Sequence, residues 1–436
     1  MELLWGVTSS EVDALSMVFM YLYIPLSFPS LYLVNNKIGM RNGLVLGAVL
    51  NTFGALLRWI RYQSYSVVYI GTVLCSIAQT FTLAIPPLLS HAHFRKEEHA
   101  VATSVGVLAN QLGAAFGLGS TMFINITVPG SLEGYLLVQF VFSLGAAVMV
   151  YLFVTNSSAK NNTHEEPAGD STPATEETHE SLDYVESIKR VVYDYKGGLV
   201  LTIVYGFVVG VYYAVATFLS QFLPAWKEDS ERGAVLVGLL GVCFIMVGAV
   251  GSILSGYVLD RAGNFYAVCK WILIGAIFSF VGFTYVVLNS SSVLGIFVLT
   301  GLVGFFFTAF LSVGFEYAAV LSAPANEAAV AGLLNAIAQV GGCLYLFIGG
   351  VILDKDTNPE TGESSTHAIF TVNLILGISL SIMVVLYLLL FDEGGNGKKP
   401  VPSPSMWVKK KSMAKYGTLD EINSKLEGVG KVLEYE

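Results

Sequence analysis

The sequence predicts an all-α integral membrane protein made of two pseudo-symmetric helical bundles. Three observations carry that prediction. The 436 residues are 54% hydrophobic and only 13% charged, where a soluble globular chain carries about 25% charge. Eleven apolar segments are each long enough to cross the hydrocarbon, which takes about 20 helical residues. One stretch of sequence also recurs on the two sides of a polar linker. Lipid offers no partner to free backbone groups, so the spans are read as helices.

The spans run approximately 14–34, 43–62, 67–89, 100–127 and 133–154. After the linker they run 198–224, 234–258, 266–288, 292–320, 328–352 and 367–391. The linker contains "EEPAGDSTPATEETHESLD", an acidic stretch rich in Pro, Ser and Thr with the composition of a disordered segment. Its end, "SLDYVESIKRVVYDY", spaces Leu182, Val185, Ile188 and Val192 as on one helix face. That predicts a short helix lying on the membrane surface. The chain then divides into an N-terminal bundle (1–155), the linker (156–196), a C-terminal six-helix bundle (197–392) and a Lys-rich tail (393–436).

Basic residues mark the cytoplasmic side. The turns with Lys37 and Arg41, with Arg95 and Lys96, and with Arg261, together with the linker and tail, hold seventeen of the 23 Lys and Arg. Linker and tail are therefore cytoplasmic, and "WVKKKSMAKYG" is suited to an anionic leaflet. Cys75, Cys243, Cys269 and Cys343 all lie inside spans and read as small packing residues. No cleavable signal sequence is visible.

The repeat aligns "EHAVATSVGVLANQLG", from Glu98, with "EAAVAGLLNAIAQVGG", from Glu327. Asn110 falls on Gln339 and Gly113 on Gly342. The basic turns "LVNNKIGMR" and "YVLDRAGNF" form a second pair. Parallel repeats of six helices are a transporter pattern. Only five spans precede the linker, and the repeat assigns the unmatched place to the first helix of an expected twelve. Either the sequence begins after that helix or the protein works with eleven.

Polar residues inside spans are the candidate functional groups. Gln111 lies thirteen steps from Glu98, about 19.5 Å along a helix, and Gln339 twelve steps from Glu327, about 18 Å. Both depths fall near the bilayer midplane, where transporters of this pattern hold substrate. Gly113 and Gly117 have the spacing that lets helix backbones approach closely. In "GVYYAVATFLSQFLPAW", Tyr213 lies mid-helix, and an aromatic face attracts cations, quaternary ammonium groups above all. Met20 adds a polarizable sulfur. Glu316 is a candidate coupling-proton site. Asp260, Arg261 and Asn110 are candidates for gate or coupling contacts. His91, His93 and His99 cluster at the cytoplasmic mouth; they read as polar interface residues ahead of haem-iron or metal ligands. No Walker sequence, HExxH or nucleophile constellation occurs, which argues against an enzyme.

"LSMVFMYLYIPLSFPSLYLVNNKIGMR", "VLANQLG", "YGFVVGVYYAVATFLSQ", "GAVGSILSGYVLDRAG", "GFFFTAFLSVGFEYA" and "GLLNAIAQVGG" together resemble the feline leukaemia virus subgroup C receptor family of the major facilitator superfamily. The resemblance runs from about Leu4 to Asp392. It implies a facilitative choline transporter, with ethanolamine as a related substrate and haem transport as the alternative. It also implies an aromatic cage with two glutamines, which by motif are Gln111 and Gln339, beside Tyr213 and Met20. The family's cage tryptophan lies on the helix this sequence does not contain; Trp5 belongs to the loop after it. Asn35 and Asn36 stand where the family's first basic turn carries an aspartate.

The expectation is a solute carrier that binds a small cation, with no resident cofactor, metal or nucleic-acid partner. The plasma membrane is its first location, ahead of mitochondrial or other internal membranes. A reading from another class is a non-transporting regulatory membrane protein.

Overall fold

The structure, a computed structural model, describes residues 5–7, 9–83, 85, 89, 99–120, 130–154, 184–189, 191–192, 196–223, 230–289, 292–322, 327–356 and 365–390. Among these, the regular elements are all helical. Before the linker come α1 (Ser9–Leu33), α2 (Gly39–Ile60), α3 (Tyr65–Thr82), α4 (His99–Ser120) and α5 (Ser131–Phe153). The short α6 (Tyr184–Lys189) follows. The second half holds α7 (Lys196–Phe218), α8 (Ser230–Ala262), α9 (Phe265–Asn289), α10 (Val293–Ser322), α11 (Glu327–Lys355) and α12 (Thr366–Leu390). Ten of these helices are long and apolar enough to cross a membrane. The remaining predicted span is α4, 22 residues with Asn110 and Gln111 at its centre.

The repeat in sequence becomes a repeat in packing. In the first half α1 packs on α3, α2 on α3 and α2 on α5; in the second, α8 packs on α10, α9 on α10 and α9 on α12. Hydroxyls join the matching seams: Ser30 bonds Thr80 at 2.8 Å between α1 and α3, and Ser252 bonds Ser312 between α8 and α10. The turns after α1 and α8 each need a left-handed residue, and each has a glycine there, Gly39 at φ 77° and Gly263 at φ 64°. Pro25 and Pro29 lie inside α1, and each removes a backbone donor from its helix.

The halves meet along two seams, α1 on α11 and α4 on α8. At its linker-facing end the first seam is closed by Leu31 and Ala329, with Phe28 and Ile188 packed against them. Ile188 belongs to α6, so the predicted amphipathic helix forms. Its Ile188 lies on the junction of the two halves, and Ser187 and Val191 are buried in protein. The apolar stripe found a protein surface closer than the lipid expected for it.

One predicted close approach is absent. No atom of the described residues lies within 4 Å of a Cβ built on Gly113 or Gly117. The close approaches lie in the second half. A Cβ on Gly210 would sit 2.6 Å from the Gly341 carbonyl carbon, and one on Gly341 would sit 2.7 Å from the Gly206 oxygen. Small residues permit contact only where a second helix is at hand.

Candidate functional site

Three helices from the two halves converge around Gly342 of α11. A Cβ there would stand 3.0 Å from Met20 Sδ on α1 and 3.2 Å from Tyr213 Cδ2 on α7. The glycine lets a thioether and a phenol ring share one spot. Gln339 lies one helical turn before Gly342, 5% exposed. Its Oε1 has no hydrogen-bond partner among the described residues. Leaving a buried acceptor unmade costs about 1–3 kcal/mol.

Aromatic packing fixes this wall. Tyr212, beside Tyr213, stacks on Phe244 of α8 with centroids 4.9 Å apart and planes 18° from parallel. Such a pair contributes about 0.5–1.5 kcal/mol beyond its area. Nearer the N-terminus of α7, Tyr205 is fully buried, edge-on to Phe315 at 5.1 Å. Its hydroxyl lacks a hydrogen-bond partner among the described residues. Tyr205 and Gly342 were not singled out as site residues from sequence. Only the depth of Tyr205 on its helix could have flagged it, and a glycine gives no chemical signal.

The other predicted residues are placed as follows. Gln111 is half-buried on α4 and Asn110 is exposed there. The second glutamine stays an expectation. Glu316 is exposed on α10 and is engaged in an interaction. Arg261 is exposed and lies over the Tyr257 ring, 4.6 Å from its centroid. Asp260 closes α8, and its side chain lies outside the described residues, as do His91 and His93. His99 opens α4. All four cysteines are free thiols. A groove of about 860 Å³ between α9 and α12, lined by Phe280, Thr284 and Asn373 among others, shares no residue with the convergence.

The profile of the Major Facilitator Superfamily matches residues 2–344 and 236–420. The cat protein "Choline/ethanolamine transporter FLVCR1" is 32% identical over 387 residues, covering 87% of this chain and 67% of its own. The human "Choline/ethanolamine transporter FLVCR2" is 30% identical, covering 87% and 71%. The chain belongs to the FLVCR family of the Major Facilitator Superfamily. As an FLVCR-family protein it is a multi-pass membrane transporter. The crystal structure of the E. coli fucose:proton symporter FucP superposes with a TM-score of 0.57 at 13% identity, covering 88% of this chain and 91% of that one. The nucleoside transporter NupG gives 0.58 at 11%, covering 87% and 90%. These two show the fold, and the FLVCR-family chain shares with them the superfamily architecture predicted from its repeat.

Proposed function

We propose that this FLVCR-family transporter carries choline, with ethanolamine as a second substrate, through the seam at Met20, Tyr213, Gln339 and Gly342. The observation that carries this reading is the unpartnered Gln339 Oε1 on α11, three residues before Gly342, where a thioether and a phenol ring meet. Choline has one hydroxyl donor and one quaternary ammonium. The hydroxyl would donate to Gln339, and the ammonium methyls would rest on the Tyr213 face and the Met20 sulfur. Cation–π attraction reaches about 2 kcal/mol when desolvated. Gln111 is proposed to reach the same cargo from α4.

The Leu31–Ala329 seal supports a cycle in which cargo binds from the exterior and leaves after that seam parts. A cation moving inward gains about 2.3 kcal/mol per 100 mV. At about 60 mV that is about 1.4 kcal/mol, tenfold accumulation without a coupling ion or a catalytic step. We place the protein at the plasma membrane on the same energetic ground.

Uptake of labelled choline into cells expressing the chain tests the reading. Saturable uptake inhibited by ethanolamine, and reduced about thirtyfold in apparent affinity by Tyr213→Ala, is expected from the loss of about 2 kcal/mol. Uptake unchanged by both Tyr213→Ala and Gln339→Ala would refute it.

A further inference from the structure

The groove between α9 and α12 holds polar groups in an apolar surround. It opens on the outer surface of the second half: Val281 and Tyr285 of α9 and Leu374, Ile378 and Leu389 of α12 line it and are exposed. On a chain that spans a membrane such a face meets lipid, so the groove fills from the bilayer. Its floor is smaller and more polar than its rims. Asn373, Gly377 and Ser381 succeed one another at one helical turn along α12, and Thr284 joins them from α9. A Cβ on Gly377 would meet Phe280 at 3.4 Å, an ordinary contact, so the glycine is a flat place beside an aromatic ring.

The second observation is chemical. Asn373 is 1% exposed. Its Nδ2 donates to the Ile369 carbonyl at 3.0 Å, which uses one of the two amide hydrogens. Its Oδ1 lies 3.5 Å from Thr284 Oγ1, but the single Thr284 proton has a nearer acceptor in the Phe280 carbonyl at 3.0 Å. The amide keeps one N–H and one carbonyl oxygen for a ligand, and a polar group kept open inside a span points to a binding place. Its depth is specific. Both helices have 25 residues, about 37 Å over about 30 Å of hydrocarbon. Thr284 lies about 7 Å from the end of α9 and Asn373 about 10 Å from the start of α12. The pair therefore sits just inside the hydrocarbon boundary.

We infer that the groove between α9 and α12 binds one membrane sterol, its hydroxyl on the Asn373 amide and its rings along Gly377 and Ser381. A hydroxyl both donates and accepts, which is what the amide lacks. Among the described residues no Lys, Arg, Asp or Glu lines the groove, so a phosphate headgroup has no counter-charge there, and the esters of a phospholipid only accept. From Asn373 to Val385 the groove offers about 18 Å for fused rings and a tail. A rigid ring system also loses fewer rotamers on binding than a flexible diacylglycerol. The groove shares no residue with the α1–α7–α11 seam, so the inference holds whatever the cargo is.

Photolabelling tests it. The full chain in phosphatidylcholine nanodiscs is labelled with a diazirine-bearing sterol, and the adducts are mapped by mass spectrometry. Saturable labelling concentrated in residues 280–289 and 370–389, over the equally lipid-exposed α5, is expected. The 3-methyl ether of the sterol, which cannot donate, is expected to compete about tenfold less well than the sterol, the loss of one hydrogen bond. Asn373→Leu is expected to lower labelling by a similar factor. Gly377→Leu, which fills the floor, should do the same and covers a failure of the first variant to fold. Adducts spread evenly over the lipid-facing helices, or equal competition by the methyl ether, would overturn the inference. So would competition by dioleoylglycerol as strong as by the sterol, since a flexible lipid would then be the occupant. Ile378→Cys dimers that added sterol does not suppress would also overturn it, because a second copy would then fill the groove.

Discussion

The helices α4 and α11 carry one sequence pattern in two surroundings. In α11, Gln339, Gly342 and Tyr345 are packed against α1, α7 and α12. In α4, Asn110, Gly113 and Phe116 are exposed, although the motif is as apolar and as rich in small residues. The difference lies in the neighbour. A glycine creates a close contact only when another backbone arrives, and an aromatic ring is buried only when something covers it. Motif similarity therefore predicts the type of a helix, and the partner decides what the helix does.

Substitutions at matched positions sharpen the comparison. The largest effect is expected at Gly210→Val. Its side chain would drive into the Gly341 and Gly342 backbone, 2.6 and 2.8 Å from the new Cβ, so α7 and α11 must part. A loss of about 3 kcal/mol or more is expected, at the upper end for overpacking, read as a collapse of folded yield on size-exclusion chromatography. Gly342→Ala is milder, because Met20 can yield; a loss of about 1–3 kcal/mol is expected in thermal melts in detergent. Gly113→Ala should do the opposite in the chain of 436 residues. Nothing among the described residues of other elements stands within 4 Å of its Cβ, so helix propensity acts there, a gain of up to about 1 kcal/mol. Equal effects at Gly113 and Gly342 would break the comparison.

Gln339→Leu separates stability from function. Removing an unsatisfied buried amide should leave the melting temperature unchanged or raise it, while apparent choline affinity falls about tenfold or more with the lost hydrogen bond. A melting temperature that falls in step with affinity would make Gln339 a structural residue. Ile188→Asp tests the seal between the halves. It removes one half-buried contact from that seal, about 1–2 kcal/mol of apolar burial. Labelling of an Ala329→Cys reporter by a cytoplasmic maleimide should speed up by about a factor of ten.

Much of the fold was legible in the sequence because lipid leaves a chain few choices. Span length, basic turns and the repeat placed both ends of eight of the eleven long helices within five residues, while the predicted spans for α3, α4 and α7 run six or seven residues past the last residue of each described helix. The Met20, Tyr213 and Gln339 grouping was legible from depth and chemistry, since mid-membrane polar and polarizable groups are few. The role of Gly342 was not, because its contribution is the space it leaves for Met20 and Tyr213. The error at Gly113 and Gly117 has the same root: small-residue spacing is a capacity, and no local pattern records whether the other helix is there. The α6 helix was predicted from periodicity, which reports an apolar stripe without saying whether lipid or protein meets it.

The central claim is that the α1–α7–α11 seam recognises a small cation by its charge as well as its shape. Equilibrium binding of labelled choline to the purified protein, with 3,3-dimethyl-1-butanol as competitor, tests it most directly. That alcohol has choline's shape and hydroxyl without its charge. The account predicts saturable choline binding that ethanolamine displaces, the neutral alcohol displaces at least about thirtyfold less well, and Tyr213→Ala weakens by a similar factor. Equal displacement by choline and its neutral analogue, with Tyr213→Ala binding like the unaltered chain, would contradict it.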